Sequence, residues 1–238
     1  VAKVIVLSGA GLSAESGIST FRAKDGLWEN YTIDEICSAG CLETNYEQTL
    51  AFYDMRRMDL KDKKPNHAHL TLAKLKHKYP SKIAIITQNV DDLLEKANCS
   101  DIVHLHGFLP EIKCQNESCS YVENIGYTLQ NKQARCPLCN TLLRPNIVFF
   151  KEAAPFYERL FKEFDDCEML VVIGTSGYVI NTDMFLNPDI KFSVLNNLEK
   201  SEALDETLYT KALFKPVTQA IDEIAADIEA FLTQHSLC

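Results

Sequence analysis

Val4-Ile-Val-Leu-Ser-Gly-Ala-Gly-Leu-Ser-Ala-Glu-Ser-Gly-Ile-Ser-Thr-Phe-Arg-Ala-Lys-Asp-Gly-Leu-Trp28 is the stretch of this 238-residue chain from which its fold is read. It opens on an apolar, β-branched run, Val4 to Leu7, which suits a strand buried on both faces. Gly9 and Gly11 follow as a turn in which the backbone can approach a ligand. Ser13, Glu15 and Ser16 then suit the first turn of a helix. Strand, glycine turn and helix start outline a dinucleotide phosphate site. The spacing is not G-x-G-x-x-G, because Gly17 follows Gly11 by six residues. On the glycines alone, an ordinary βα turn fits as well.

Charge and composition narrow what such a chain does. Lys and Arg number 24 against 33 Asp and Glu, a formal net charge of −9, whereas a phosphate-tracking surface needs excess basic residues. Direct nucleic-acid binding is therefore not expected. No run approaches the ~20 apolar residues of a membrane helix, and the opening residues pattern as a strand, not a signal peptide. A soluble, cytoplasmic chain without membrane contact is the expectation. Of nine cysteines, Cys37, Cys41, Cys99, Cys167 and Cys238 are scattered and read as buried or incidental thiols.

Beyond the opening stretch, helical patterns fall at 33–38, 45–61 and 67–78, with Leu50, Tyr53, Met58 and Leu60 as the apolar face of the second. Residues 82–87 read as another buried strand, ending in Gln88-Asn89-Val90-Asp91. Polar groups there lie at the carboxyl edge of a parallel sheet, where ligands bind. Helix capping accounts for Asp92 and suits Asp91; it leaves Gln88 and Asn89 unexplained. A strand at 101–105 delivers His104, His106 and Gly107 to the same edge, with the two histidines on one face by alternation. From position alone, His106 is either a hydrogen-bonded structural residue or a catalyst. After a helix at 154–164, a strand at 168–173 runs into Gly174-Thr-Ser-Gly177, a second turn suited to phosphate and ribose contacts. Residues 191–195 close on Asn196-Asn197, placed to meet a ribose hydroxyl. A final helix at 217–232 is amphipathic through Ile221, Ile224, Ile228 and Phe231.

Residues 114–144 interrupt this α/β rhythm. Cys114 and Cys119 are separated by sixteen residues from Cys136 and Cys139, a spacing at which four thiolates close a tetrahedral zinc site. Four protein ligands leave no open position for water, so the metal reads as structural. A metal-free hairpin and a pair of disulfides are the alternatives, and neither suits a reduced polar segment with little core of its own.

Taken together, these motifs resemble the sirtuins, the NAD-dependent protein-lysine deacylases. Gly9-Ala-Gly-Leu-Ser-Ala-Glu-Ser-Gly-Ile18 with Phe21-Arg22, Thr87-Gln-Asn-Val-Asp91, His106-Gly107, the four cysteines, Gly174-Thr-Ser176 and Asn197 fall in family order over nearly the whole chain. The resemblance implies an α/β fold, a Rossmann-like parallel sheet with helices on both faces and a small zinc-ribbon insert. The expected division is 1–107 and 145–238 for the NAD-binding domain and 108–144 for the zinc module. It implies NAD and one structural zinc as cofactors, with Gly9, Ala10, Gly11, Ser13, Phe21, Arg22, Trp28, Gln88, Asn89, Asp91, Gly174, Thr175, Ser176 and Asn197 at the NAD site. His106 would be the general base and Asn89 would hold the ribose and a water. Val148 and Phe149 would line the acyl-lysine channel while their backbone pairs with substrate. The partners implied are acylated-lysine protein substrates, and the enzyme is expected to be a monomer.

Within that family, Phe21-Arg-Ala-Lys-Asp-Gly-Leu-Trp-Glu29 and Phe52-Tyr-Asp-Met-Arg-Arg57 look like the class that accepts acidic acyl groups. Tyr53 and Arg56, three apart on a helix, project to one side, and a phenol beside an Arg fork suits a terminal carboxylate. Desuccinylase and demalonylase activity are expected beside deacetylation, with mono-ADP-ribosyl transfer or a non-catalytic NAD sensor as alternatives. The chain departs from the family pattern at Ser19 (usually proline), Leu94 (often histidine), Asn181-Thr-Asp183, Lys151 (usually glycine) and Lys215-Pro-Val217, where an adenine contact is expected.

Overall fold

The computed structural model describes residues 3–18 and 33–234. Its elements are β1 Val4–Ser8, α1 Gly11–Ala14, α2 Ile33–Ile36, α3 Cys41–Thr44, α4 Tyr46–Leu60, α5 His67–Lys78, β2 Ile83–Thr87, α6 Leu93–Lys96 and β3 Ile102–His104. There follow β4 Gly107–Cys114, β5 Val122–Asn124, β6 Leu143–Ile147, α7 Tyr157–Phe164, β7 Met169–Ile173, β8 Phe192–Asn197, β9 Lys211–Phe214 and α8 Val217–Gln234. Six parallel strands form the main sheet in the order β3-β2-β1-β7-β8-β9. The strand order reverses between β1 and β7, which opens a crevice at their carboxyl ends.

The apolar runs form strands because both faces of the sheet are covered. Val4 and Val6 of β1, with Ile83, Ile85 and Val171, pack against Leu72 of α5 and Ile221, Ile224 and Ile228 of α8. Ile5 and Leu7 point the other way, into a second core with Leu170, Val172, Leu160 of α7 and Phe185. This is period-2 alternation with both phases apolar. Among the described residues, no helix is long and apolar enough to cross a membrane.

Several expected details differ. β9 escapes a pattern reading because Lys-Ala-Leu-Phe is a short edge strand with no alternation to mark it. Met58, expected on the apolar face of α4, is 52 % exposed, and the buried positions of that helix include the charged pair Asp54 and Arg57. Asp92 is the N-cap of α6 but makes no capping bond; the residue before it, Asp91, accepts the Leu93 N–H on Oδ1 at 3.1 Å. Asp92 instead takes the Tyr127 hydroxyl and a Lys96 ion pair at 3.2 Å.

At the crevice, the turns after β1 and β7 touch backbone to backbone. Gly9 N–H donates to the Ile173 carbonyl and Gly11 N–H to the Gly174 carbonyl, both at 2.9 Å. A Cβ on Gly174, which holds φ +63°, would lie 2.5 Å from Gly11 Cα and 2.6 Å from Leu12 N. Neither atom can retreat, since both belong to backbone in the mirror turn. Gly174→Ala is expected to cost about 3 kcal/mol of stability or more and to weaken NAD binding; thermal unfolding and calorimetric titration measure the two effects.

Candidate active site

The crevice widens into one cleft of about 760 Å³. Gly9, Ala10, Gly11 and Ser13 border it from the first turn, Gln88, Asn89 and Asp91 from the loop after β2, and His106 from the loop after β3. Gly174, Thr175, Ser176 and Asn197 border it from β7 and β8, and Tyr53, Arg56, Val148 and Phe149 close the far wall. Lys215 and Val217 also reach it. Phe21, Arg22, Trp28 and the variant position Ser19 lie outside the described residues.

A chain of buried hydrogen bonds fixes the polar floor. His69 on α5 is fully buried. Its Nδ1 accepts the Asn66 N–H at 3.3 Å, so its proton sits on Nε2, 3.3 Å from Ser13 Oγ. Burial holds the His69 pKa down at about 4, which keeps this ring neutral. Ser13 Oγ also accepts from Asn89 Nδ2 at 3.2 Å, leaving its own proton for Asp91, with which Ser13 is hydrogen-bonded. Burial raises the Asp91 pKa, and the bonds from Ser13 and the Leu93 N–H work against that rise. Gln88 Nε2 donates to Thr175 Oγ1 at 3.1 Å, and Asn197 Nδ2 to the Thr175 carbonyl at 2.9 Å. Two sheet edges are thereby tied across the crevice. His69 carries no sequence signal of this role, since it reads only as the first turn of a helix.

The two histidines part company, contrary to the alternation argument, because β3 ends at His104. His104 meets acceptors at both nitrogens, the Asn89 carbonyl at 2.9 Å and Glu95 Oε1 at 2.7 Å. Burial opposes a charge there, but the Glu95 carboxylate outweighs it and the pKa rises. His106 Nδ1 lies 3.1 Å from the Gln88 carbonyl. A carbonyl only accepts, so the proton sits on Nδ1 and Nε2 keeps its lone pair. Burial lowers the His106 pKa, with the Gln88 bond opposing. Tyr157, unremarked in the sequence, places its hydroxyl 3.4 Å from that Nε2.

The wall of the cleft that holds Tyr53, Arg56, Val148 and Phe149 is built from α4 and the segment after β6. Val148 N–H donates to the His106 carbonyl at 2.9 Å, and the Phe149 and Tyr53 rings stack at 5.6 Å. Phe150 pairs through its backbone with Cys37 and Ala39 at 2.8 Å. Arg144 and Glu152 lock this segment: Arg144 bonds both Glu152 oxygens at 2.7 and 3.0 Å, and Glu152 also accepts the Phe149 N–H at 2.9 Å. Lys151 sits between them at φ +70°, a left-handed conformation that glycine adopts at lower cost. That accounts for the glycine usual at this position.

The four cysteine sulfurs lie within 4.8 Å of one another. Cys114–Cys139 and Cys119–Cys136 are separated by 3.4 and 3.6 Å, too long for disulfides and near the roughly 3.8 Å between sulfurs of a tetrahedral Zn–S site. The backbone N–H groups of Asn116 and Leu138 donate to Cys114 and Cys136 sulfurs at 3.4 Å, as a thiolate site requires. Strands β5, β4 and β6 form the antiparallel sheet that carries them.

Residues 9–181 match the Sir2 family profile. The chain belongs to the Sir2 family. An NAD-dependent protein deacylase of Campylobacter jejuni (strain RM1221) is 47 % identical to this sirtuin over 231 residues, covering 96 % of this chain and 97 % of its own. Among solved structures, a Sir2 homologue in complex with NAD superposes with a TM-score of 0.83 at 28 % identity, covering 96 % of this chain and 90 % of that one. A Sir2 protein with a deacetylated p53 peptide and 3′-O-acetyl ADP-ribose gives 0.77 at 26 % identity, covering 94 % and 92 %.

A neutral His106 acting as general base, its pKa lowered by burial, would make activity of this sirtuin fall as pH drops, with an inflection in kcat/KM below the ordinary histidine value of about 6.5. One zinc per chain is expected by elemental analysis, and Cys136→Ala should abolish it and lower the midpoint of thermal unfolding.

Proposed function

We infer that this sirtuin is an NAD-dependent protein-lysine deacylase that removes acetyl groups and, with a dedicated pocket, short acyl groups ending in a carboxylate. The observation that carries the acidic preference is Arg56. It is a half-buried cation in the cleft wall beside Phe52, Tyr53 and Phe149. Burial lowers its pKa, with the Tyr53 and Cys37 groups and Asp59 opposing. The Tyr53 phenol, pushed well above its usual pKa by burial and hydrogen-bonded to Cys37, stays protonated, and its proton is a donor that would turn from the thiol to a substrate carboxylate. Cation and donor at the end of an apolar channel match a carboxylate.

NAD, when bound, supplies an electrophilic ribose carbon from which nicotinamide departs, and its ADP-ribose carries away the acyl group. The cleft fits that cofactor, because close-packed glycine turns leave room at the sheet edge and the Thr175, Asn89 and Asn197 side chains border it. His106 Nε2 is the atom that takes up a hydroxyl proton, with Nδ1 anchored on Gln88. The Asn89 amide nitrogen is held by Ser13, which orients its oxygen as an acceptor. Gln88 and Asp91 shape the floor where nicotinamide would lie. The stacked Tyr53 and Phe149 rings exclude water from the acyl chain. Val148, whose N–H is held by the His106 carbonyl, lies beside the channel with its carbonyl as the acceptor for an extended substrate peptide.

Incubation with NAD and acetyl- or succinyl-lysine peptides is expected to release nicotinamide and deacylated peptide. NAD binding without turnover of either peptide would contradict the deacylase reading, and label transfer from NAD to protein would point to ADP-ribosylation. Arg56→Met should cut kcat/KM for succinyl peptide about 10- to 100-fold, as for loss of a charge-assisted hydrogen bond. Acetyl turnover should change little, and an equal loss on both would remove Arg56 as the carboxylate partner.

A further inference from the structure

The acid-reading helix α4 is gripped from behind by a charge that the reaction does not use. Arg57 is fully buried and Asp54 is 7 % exposed, on the side of α4 turned toward the zinc module. Arg57 Nε donates to the Leu109 carbonyl at 2.9 Å, and Nη1 to Asp54 Oδ1 at 2.5 Å. That same Oδ1 accepts the Gln130 N–H at 3.0 Å, while Gln130 Nε2 and the Tyr46 hydroxyl both donate to the Leu143 carbonyl, at 2.9 and 2.8 Å. Helix α4 is therefore bonded along its length to β4, β6 and the loop between the cysteine pairs.

Leu109 is the junction. Its N–H donates to the Val90 carbonyl at 2.8 Å, between Asn89 and Asp91, while its carbonyl holds Arg57. One residue, through the two peptide groups that flank it, thus sets the loop bearing Asn89 and the helix bearing Arg56 at a fixed separation. Stability alone explains the arrangement poorly. Arg57 Nη2 is buried without a hydrogen-bond partner, and a buried ion pair with a nitrogen left over is less stabilising than apolar packing of similar volume. What such a pair does supply is a fixed position.

We propose that Arg57 is a positioning residue for acyl-group selection: its bond to Leu109 holds α4 so that Arg56 and Tyr53 stand at the distance a short dicarboxylic acyl chain spans. This rests on the reading of Arg56 as the carboxylate partner. The Leu109 to Val90 bond does not pass through Arg57, so the loop bearing Asn89 keeps its anchor when Arg57 is changed. His106 rides on other elements. An acetyl group, which has no carboxylate to reach Arg56, meets α4 only through the stacked Tyr53 and Phe149 rings, so it depends far less on the exact placement of that helix.

The test compares acetyl- and succinyl-lysine peptides on Arg57→Met, Arg57→Lys and Arg56→Met, each first shown to be folded by thermal unfolding and zinc content. Arg57→Met is expected to lower kcat/KM for succinyl peptide about tenfold through KM, as for a displacement of about an ångström, with acetyl kcat/KM within about twofold. Arg57→Lys, which keeps a charge for Asp54 and a donor for Leu109, should recover most of the loss. Equal losses on both peptides, or none on either, overturn the proposal. If Arg57→Met does not fold, Asp54→Asn, which frees the guanidinium but leaves its volume in place, is read by the same criterion. If Arg56→Met itself fails to discriminate the peptides, the carboxylate pocket falls; if Arg56→Met discriminates and Arg57→Met does not, only the positioning role falls.

Discussion

Everything in this sirtuin's cleft depends on two βα turns approaching each other without side chains between them. The turn after β1 donates hydrogen bonds from Gly9 and Gly11 to the Ile173 and Gly174 carbonyls at the end of β7, at distances that a Cβ would make impossible. The glycines are commonly understood as room for a phosphate. Here their first task is to let the halves of the sheet meet at the reversal of strand order, and the ligand crevice is the space left above that contact. Side chains on the loops after β2, β3 and β8 then converge on it.

Burial sets protonation in this site as much as charge does. His69, His104 and His106 differ mainly in what their nitrogens face: a hydroxyl, a carboxylate and a carbonyl. The first is held neutral to orient Ser13, and the second gains a proton against the cost of burial. The third is left with one basic nitrogen in the cleft. Such division of labour among like residues is the expected outcome when desolvation and specific partners push pKa values apart.

The zinc module and the cleft wall made by α4 and the segment after β6 are also physically one construction. Its strands β4 and β6 hold α4 through Leu109 and Leu143, and the chain leaving β6 runs directly into Val148 and Phe149. Lys151 retains a left-handed backbone at a cost of about 1 kcal/mol or more, affordable because Arg144 and Glu152 over-determine the turn. A charged side chain can therefore occupy a groove position where the family pattern has glycine.

The parallel sheet, its glycine turns, the cysteine quartet and most cleft residues were legible in the chain, because each is a local pattern: an apolar run, a turn residue after it, a ligand spacing. Residues 45–61 read as a helix, but the pattern does not tell which of its sides meets the cleft and which the zinc module, so Met58 reads as inward and nothing marks Asp54 and Arg57 as buried. His69 and Tyr157 carried no signal, since nothing within a few residues of either tells what lies across the fold. His104 and His106 were joined by a strand periodicity that stops at His104. Sequence by itself determined which chemistry was present and at which strand ends; tertiary structure alone decided each group's partner, because a hydrogen bond or a buried charge depends on residues as far apart as Ser13 and His69, brought together only when the sheet and its covering helices pack.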